Sequence, residues 1–274
     1  MRALVLLWSL LLFGVAHADE PTITVTVGND TRSFTRSELL ARPDAAVVEV
    51  ARDVSYHGPM TYKAVPIASL LAGTTLPADS VIEAVAIDGF IAQLPSDLVQ
   101  NTDKSKAVAW LAIEPANRPW PRLPKKDASA GPFYIVWTGA KAGSIRSEQW
   151  AYQVAKLVSQ RLPASRWPAL AVSSALPPTD PIRAGQALYF VQCLPCHKLN
   201  GGGASDLGPD LGLPQNAVEY LTPQGLHDLI RDPKAVRTWP AQIMPSFSPD
   251  HLSDHDIDLV VAYLKHMAGR KKAQ

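Results

Sequence analysis

Cys193-Leu194-Pro195-Cys196-His197 is the stretch that decides how the last third of this chain folds. Cys-x-x-Cys-His is the pattern in which a polypeptide attaches haem covalently. Two thiols at this spacing can form thioether bonds to the two vinyl groups of one porphyrin, and the adjacent imidazole is then placed to bind the iron as an axial ligand. The motif therefore predicts one covalent haem c, attached at Cys193 and Cys196, with His197 as an iron ligand.

Three other kinds of site also use a Cys-x-x-Cys pair: a thioredoxin-like dithiol, half of a zinc site, and a plain disulfide in an exported protein. The chain has two cysteines in all, so it lacks the second pair that an all-cysteine zinc site needs. A thioredoxin-like motif is expected beside a βαβ pattern, whereas the residues before Cys193 indicate a helix. With His197 next to the second cysteine, the pattern favours haem over these alternatives.

The N-terminus indicates export. Arg2 is followed by an apolar run over residues 3–15 and by the small-x-small site Ala16-His17-Ala18, which predicts a signal peptide over residues 1–18 and a mature chain that begins at Asp19. The apolar run is shorter than the ~20 residues of a membrane-spanning helix. We expect a periplasmic protein with no stable membrane span; a retained N-terminal anchor is the alternative. Export agrees with haem c, which bacteria attach outside the cytoplasmic membrane.

The composition of the chain indicates which partners to expect and how many domains it forms. The chain has 274 residues, with 26 Lys+Arg against 25 Asp+Glu, so no basic surface for nucleic acid is expected. Proline is frequent at 24, and four of the prolines lie in 162–180. Because proline favours an extended, semi-rigid chain, we predict a linker at 162–180 between one domain at 19–161 and another at 181–274.

The sequence pattern changes across this linker. Before it, short apolar segments alternate with turn signals: Thr22 to Val27 alternates as a half-buried strand does, and Asp88-Gly89 is typical of a hairpin turn. After it, Asp180 is a favourable helix N-cap, and Ser253 to Asp256 has the spacing of a capping box that begins an amphipathic helix. The predicted fold class is α+β with two domains, mainly β at the N-terminus and all α at the C-terminus.

The chain from Asp180 onwards resembles a small class I cytochrome c. Gly185 and Tyr189 lie eight and four residues before the first cysteine, where that family has a glycine and an aromatic residue on its N-terminal helix. Tyr263-Leu264 falls where the family has an aromatic and an aliphatic residue on its C-terminal helix. Glycine lets two helix backbones approach closely, and the aromatic rings then fill the crossing. The resemblance implies that the first and last helices of this domain pack across each other.

Met244 is the candidate for the second axial ligand. Met244-Pro245 resembles the Met-Pro loop that supplies a thioether to the iron in this family. A thioether is soft and neutral, so it favours ferrous iron. The alternative for Met244 is a packed core methionine, which is the better explanation for Met267 on the last helix. Four histidines are the alternative ligands: His227, His251, His255 and His266.

The same resemblance implies further contacts to the haem. Gly208-Pro209 lies twelve residues beyond His197, where the family uses a proline carbonyl to hold the N–H of the proximal imidazole. Arg237 and Trp239 precede the Met-Pro loop and could donate hydrogen bonds to a haem propionate. The alternative is a surface arginine and a packed tryptophan.

A second resemblance covers residues 53–157, which look like the molybdopterin-binding domain of sulfite-oxidase-like proteins. The segments that carry it are Tyr56-His57-Gly58-Pro59-Met60-Thr61-Tyr62, Val65-Pro66-Ile67, Asp88-Gly89-Phe90, Gly131-Pro132-Phe133-Tyr134 and Glu148-Gln149-Trp150. That family holds molybdenum through a cysteine thiolate, and both cysteines here are assigned to the haem. We therefore expect a degenerate domain with no molybdenum cofactor, in which His57 and Trp120-Pro121-Arg122 are structural.

The predicted function is one-electron transfer rather than catalysis. With His197 and Met244 both on the iron, no coordination position is open for a substrate. The N-terminal domain would dock a periplasmic redox protein or oxidoreductase, or fix the haem domain beside it. One alternative is a molybdenum oxidoreductase with a fused haem acceptor, against which the missing thiolate counts. Another is a haem-based sensor, which needs a labile or absent sixth ligand.

Overall fold

A computed structural model describes residues 20–77 and 79–271. The predicted signal peptide, residues 1–18, and the predicted first mature residue, Asp19, lie outside the described residues. Strands occupy the part of the chain up to residue 161, and longer helices follow it.

Nine strands of the described residues form two sheets. They are β1 (Thr22–Val27), β2 (Asp30–Thr35), β3 (Ala46–Asp53), β4 (Gly58–Pro66), β5 (Ser80–Ala86), β6 (Ile91–Pro95), β7 (Val108–Ile113), β8 (Phe133–Thr138) and β9 (Val154–Arg161). The first sheet has the order β2-β1-β9-β5-β6 and the second has the order β3-β4-β7-β8. The β1–β9 pair is parallel and the other pairs are antiparallel. The mainly-β prediction for this part is confirmed.

The helices of the described residues are short in the first part and longer in the second. They are α1 (Arg36–Ala41), α2 (Ile67–Leu70), α3 (Ser96–Val99), α4 (Pro163–Arg166), α5 (Pro181–Gln192), α6 (Ala217–Tyr220), α7 (Pro223–Arg231), α8 (Pro233–Val236) and α9 (Asp254–Ala268). Single 3₁₀ turns lie at Ala142–Ser144, Ser147–Gln149 and Pro168–Leu170. Among the described residues, no helix is both long and apolar enough to cross a bilayer.

Local sequence signals account for several of these boundaries. The β5–β6 hairpin turns at Asp88-Gly89, where Gly89 takes a φ of +93°, a left-handed conformation that glycine adopts without steric cost. The Asp180 carboxylate accepts a hydrogen bond from the Ile182 N–H at 2.9 Å and begins α5. Ser253 and Asp256 form the predicted capping box that begins α9. These three predictions are confirmed.

Two apolar cores underlie the two parts of the chain. One lies between the two sheets and includes Ile23, Tyr62 and Leu157, each at most 1% exposed. The other lies among the helices and includes Tyr189 and Tyr263, both fully buried. Separate cores of this kind make the chain a two-domain α+β protein; we call its parts the sheet domain and the helical domain.

Helices α5 and α9 cross at Gly185, as expected. A Cβ atom built on Gly185 would lie 2.0 Å from the Leu259 carbonyl oxygen, so only glycine allows this approach. The rings of Tyr189 and Tyr263 lie 5.3 Å apart and fill the crossing. This crossing fixes the direction in which α5 delivers the chain to Cys193.

The prediction of an extended connector is wrong at residues 163–170. This stretch forms α4 and a 3₁₀ turn, because its prolines stand at the first positions of helical turns, where a missing N–H costs nothing. Leu170 is fully buried in the core of the helical domain. Its carbonyl oxygen accepts hydrogen bonds from the Tyr263 hydroxyl at 2.7 Å and from the Gln186 side chain at 2.8 Å. The segment is therefore packed onto the helical domain.

Candidate haem-attachment site

The Cys-x-x-Cys-His segment folds as a tight turn at the end of α5. The Cys193 carbonyl oxygen accepts hydrogen bonds from the Cys196 N–H at 3.1 Å and from the His197 N–H at 2.8 Å. Both cysteines are free and partly buried. The turn thus brings two thiols and an imidazole together through local backbone geometry, and both thiols are available to form thioether bonds.

The environment of the two thiols does not favour a redox-active dithiol. Burial raises the pKa of Cys193 and of Cys196 to about 12, and the nearby Glu148 carboxylate adds to both shifts. Dithiol oxidoreductases depend on a thiol whose pKa is lowered, so that thiolate is present near neutral pH. In the folded chain these thiols stay protonated at that pH, which counts against the thioredoxin-like alternative.

The His197 ring is oriented by a backbone carbonyl. Its Nδ1 lies 2.8 Å from the Pro209 carbonyl oxygen. Because a carbonyl oxygen only accepts, Nδ1 donates and Nε2 keeps the lone pair that a metal needs. Burial also lowers the pKa of His197, which favours the neutral, metal-binding form of the ring.

Gly208 makes room for this ring. A Cβ atom on Gly208 would lie 2.4 Å from His197 Cε1, so any larger residue would displace the imidazole. Haem c needs free thiols and a neutral imidazole with a directed lone pair, and Gly208 leaves room for that imidazole. The residues present therefore fit this cofactor, with Cys193 and Cys196 to carry the porphyrin and His197 to bind its iron.

Met244 lies in an irregular segment between α8 and α9, here called the Met loop (residues 237–249). Its side chain packs against the same apolar core as Cys193. The loop is anchored by Arg231, whose guanidinium donates a hydrogen bond to the Leu252 carbonyl oxygen at 2.7 Å and whose own carbonyl oxygen accepts from the Phe247 N–H at 3.1 Å. Met244 is thus held at the core of the helical domain.

The four histidines named as alternative ligands are placed differently. His266 Nε2 accepts a hydrogen bond from the Ser173 N–H at 3.2 Å. His227 lies beside carboxylates, 3.4 Å from that of Asp254. His255 is exposed, and burial lowers the pKa of the half-buried His251. His266 therefore already has a structural role, as the acceptor of the hydrogen bond from Ser173.

Arg237 and Trp239 lie at the surface. The Arg237 guanidinium stacks 5.0 Å above the Trp239 ring, and Trp239 is 44% exposed. This arrangement agrees with the alternative of a surface arginine. Trp239, in contrast, is more exposed than the packed tryptophan of that alternative. Their predicted contact with a propionate stays a prediction.

The sheet domain lies directly against the attachment turn. The Ile91 N–H, at the start of β6, donates a hydrogen bond to the Pro195 carbonyl oxygen at 3.2 Å. The buried Ser205 hydroxyl donates to the Gly89 carbonyl oxygen at 3.3 Å. Burial raises the pKa of Glu148, in the 3₁₀ turn Ser147–Gln149, to about 7. The sequence pattern did not indicate any of these contacts, since they join residues far apart in the chain.

Trp120, one of the residues singled out in the sheet domain, has a packing role. The Trp120 ring lies 4.9 Å from that of Tyr62, edge to face. Buried Asp53 accepts hydrogen bonds from the hydroxyls of Tyr62 at 2.8 Å and Tyr134 at 3.1 Å. His57 adopts a φ of +57° in the turn between β3 and β4. The ring contact and the two hydrogen bonds stabilise the packing of the sheet domain.

Comparison with known families identifies the helical domain. Residues 180–264 match the family described as cytochrome c oxidase, cbb3-type, subunit III. The matched segment makes up about a third of the chain. This segment is a c-type cytochrome domain of class I, and the cofactor that it implies is haem c. The match begins at the N-cap of α5 and does not reach the sheet domain, whose sulfite-oxidase-like character stays a prediction. A comparison with curated proteins finds none that matches.

Proposed function

We propose that the chain is a periplasmic monohaem c-type cytochrome that carries one electron at a time. Haem c, held at Cys193 and Cys196, would supply the ferric/ferrous couple. The observation that supports this best is the arrangement of two free thiols beside a His197 ring that the Pro209 carbonyl oxygen orients. Redox proteins are the partners expected for a cytochrome domain.

Met244 is the sixth ligand that we propose. It lies at the same apolar core as Cys193, on a loop whose C-terminal end is anchored by Arg231. His266 already accepts a hydrogen bond, and His255 is exposed. A methionine thioether raises the reduction potential relative to a second imidazole. It also closes the iron to substrates and gases, which favours a carrier over a sensor.

We propose that the sheet domain is a degenerate relative of molybdopterin-binding domains and fixes the haem domain in place. Support comes from its direct contacts with the attachment turn and from the absence of a third cysteine in the sequence. Protein matured in the periplasm is expected to contain one iron and no molybdenum per chain by elemental analysis. Stoichiometric molybdenum together with iron would instead establish the oxidoreductase with a fused haem acceptor.

Replacement of Met244 by leucine tests the axial ligand. The Met244→Leu variant should keep its covalent haem, lose the sixth ligand and bind carbon monoxide readily when reduced. Its reduction potential should fall by about 0.1 V or more, since axial ligands set haem potentials over a range of about 0.8 V. Visible spectroscopy and potentiometry measure both effects.

Met267→Leu is the matched control, because Met267 is a fully buried methionine on α9 and leucine conserves its volume. The control should retain the wild-type spectrum and potential. If Met244→Leu also retained them, the thioether assignment would be wrong. If the wild-type reduced protein already bound carbon monoxide at once, the haem-based sensor would be the better function.

A further inference from the structure

One side chain of the sheet domain reaches the segment that follows the Met loop. Arg146, just before the 3₁₀ turn Ser147–Gln149, donates a hydrogen bond to the His251 carbonyl oxygen at 3.1 Å. The same guanidinium donates to both oxygens of the Asp256 carboxylate, at 2.9 and 3.4 Å. His251 lies just beyond the Met loop, and Asp256 is in the first turn of α9. Arg146 therefore connects the sheet domain to the chain on the C-terminal side of Met244.

Arg146 is held in place by its own domain. Its backbone N–H donates to the side-chain oxygen of Gln149 at 3.2 Å. The Gln149 carbonyl oxygen in turn accepts a hydrogen bond from the indole N–H of Trp137 on β8 at 2.9 Å, and both of these side chains are buried. Two hydrogen bonds thus attach the arginine to the core of the sheet domain, so that its position follows that of β8.

The contact between Arg146 and Asp256 is charged and partly shielded from water. The two side chains are 34% and 17% exposed. Burial alone would raise the pKa of Asp256, but hydrogen bonds from Arg146 and Ser253 outweigh burial, and the pKa is lowered. Bidentate, charge-assisted hydrogen bonds of this kind are among the stronger polar contacts in proteins. The interaction between the domains at this point is therefore a specific one.

The Met loop is held mainly at its C-terminal end. Among the described residues, the backbone hydrogen bonds of 237–245 stay within the chain between residues 233 and 242. Beyond the loop, Arg231 of the helical domain donates to the Leu252 carbonyl oxygen at 2.7 Å and to the Asp254 carboxylate at 2.6 Å. Arg146 supplies the contacts from the other domain. Two arginines, one from each domain, thus fix the segment on which the placement of Met244 depends.

We propose that Arg146 is a positioning residue for the sixth iron ligand: through His251 and Asp256 the sheet domain keeps the Met loop closed and holds the Met244 thioether on the haem iron. The inference rests on the proposed function, since it requires haem c with Met244 as a ligand. Arg146 acts through the loop and not by contact with the iron. The sheet domain then determines how often the thioether leaves the iron.

Entry of imidazole into the ferric, full-length protein measures how often the Met loop opens. Imidazole binds the iron only after the methionine has left, so at saturating imidazole the rate of the stopped-flow spectral change approaches the opening rate. Arg146→Gln removes the charge and the bidentate contact. Because a hydrogen bond to a charged group contributes about a tenfold factor or more to an equilibrium, imidazole entry should become about tenfold faster or more.

Two further variants test whether the effect passes through the proposed contacts. Arg146→Lys keeps the charge but not the planar two-pronged geometry, so it should restore part of the wild-type slowness. Asp256→Asn keeps an acceptor for the Ser253 N–H of the capping box while it removes the ion pair. It should also accelerate imidazole entry, and its combination with Arg146→Gln should give less than the product of the two accelerations. Independent, multiplying effects would contradict a shared contact.

Arg166→Gln is the matched control. Arg166, on α4, forms a second ion pair that joins the two domains, 2.7 Å from the buried Glu83 carboxylate on β5. No hydrogen bond of the described residues connects Arg166 to residues 237–256. Its loss weakens domain contact away from the loop, and imidazole entry should change less than about twofold. Equal acceleration by Arg166→Gln and Arg146→Gln would assign the effect to general docking of the domains and overturn the inference.

Hydrogen exchange adds a measurement that does not depend on ligand binding. The amides of Phe247 and Leu252 are hydrogen-bonded to the Arg231 and Ser248 carbonyl oxygens. In the haem-containing protein, peptides that cover 247–252 should exchange faster in Arg146→Gln than in the wild type or in Arg166→Gln. A slow wild type together with an equally slow Arg146→Gln would refute the inference alone. A wild type that bound imidazole at once would refute Met244 as the ligand, and the inference with it.

Discussion

Replacing Cys193 and Cys196 together by serine is expected to abolish covalent haem attachment completely. Each thioether bond needs a cysteine sulfur, and the sequence contains no third cysteine that could substitute. The double variant, expressed with the haem-attachment machinery, should show no haem on a denaturing gel stained for haem peroxidase activity. Intact-mass spectrometry should give the mass of the polypeptide alone.

The single variants Cys193→Ser and Cys196→Ser are the internal controls, since each leaves one thioether possible. They should retain a part of the haem and show altered visible bands, because an unreacted vinyl group remains on the porphyrin. Covalent haem at the wild-type level in the double variant would show that attachment occurs elsewhere. A wild-type protein that carried a Cys193–Cys196 disulfide and no haem would instead establish the plain-disulfide alternative.

The features that could be predicted from the sequence depend on neighbouring residues. The Asp180 cap, the capping box of Ser253 and Asp256 and the hairpin at Asp88-Gly89 each combine residues within four positions of one another. The requirement for glycine at position 185 was also predictable, because its spacing from the cysteines matches a family with a known helix crossing. Local chemistry determined the two helix caps and the hairpin, whereas Gly185 contacts the distant Leu259 and could be predicted only through the family resemblance.

The features that could not be predicted depend on contacts between distant residues. The hydrogen bond from Ile91 to Pro195 joins segments about a hundred residues apart, and either group could equally have bonded to water. The form of the proline-rich segment at 163–170 could not be predicted for the same reason. Its extended or helical form is decided by the burial of Leu170 in the helical domain, which a local proline count does not reveal.

Replacing Gly185 by alanine should destabilise the helical domain strongly. The new Cβ atom would lie 2.0 Å from the Leu259 carbonyl oxygen and 3.0 Å from the Tyr263 Cβ, so α5 and α9 would have to move apart. Alanine gains about 1 kcal/mol of intrinsic helix propensity over glycine. Overpacking costs about 1–3 kcal/mol and occasionally more, and a clash with backbone places the cost at the upper end of that range. The free energy of unfolding should therefore fall by about 2 kcal/mol or more, measured by denaturant unfolding of the haem-containing protein.

Gly269→Ala separates this packing effect from a general effect of the added methyl group. Gly269 caps α9 with a φ of −75°, and the nearest atom to a Cβ there is the His266 carbonyl oxygen at 3.7 Å, an ordinary contact. Its stability should change by less than about 0.5 kcal/mol or rise slightly, because alanine restricts the unfolded chain more than glycine does. If Gly185→Ala were equally harmless, the helices could not be in contact at this residue, and α5 would not deliver Cys193 to the position described for the haem.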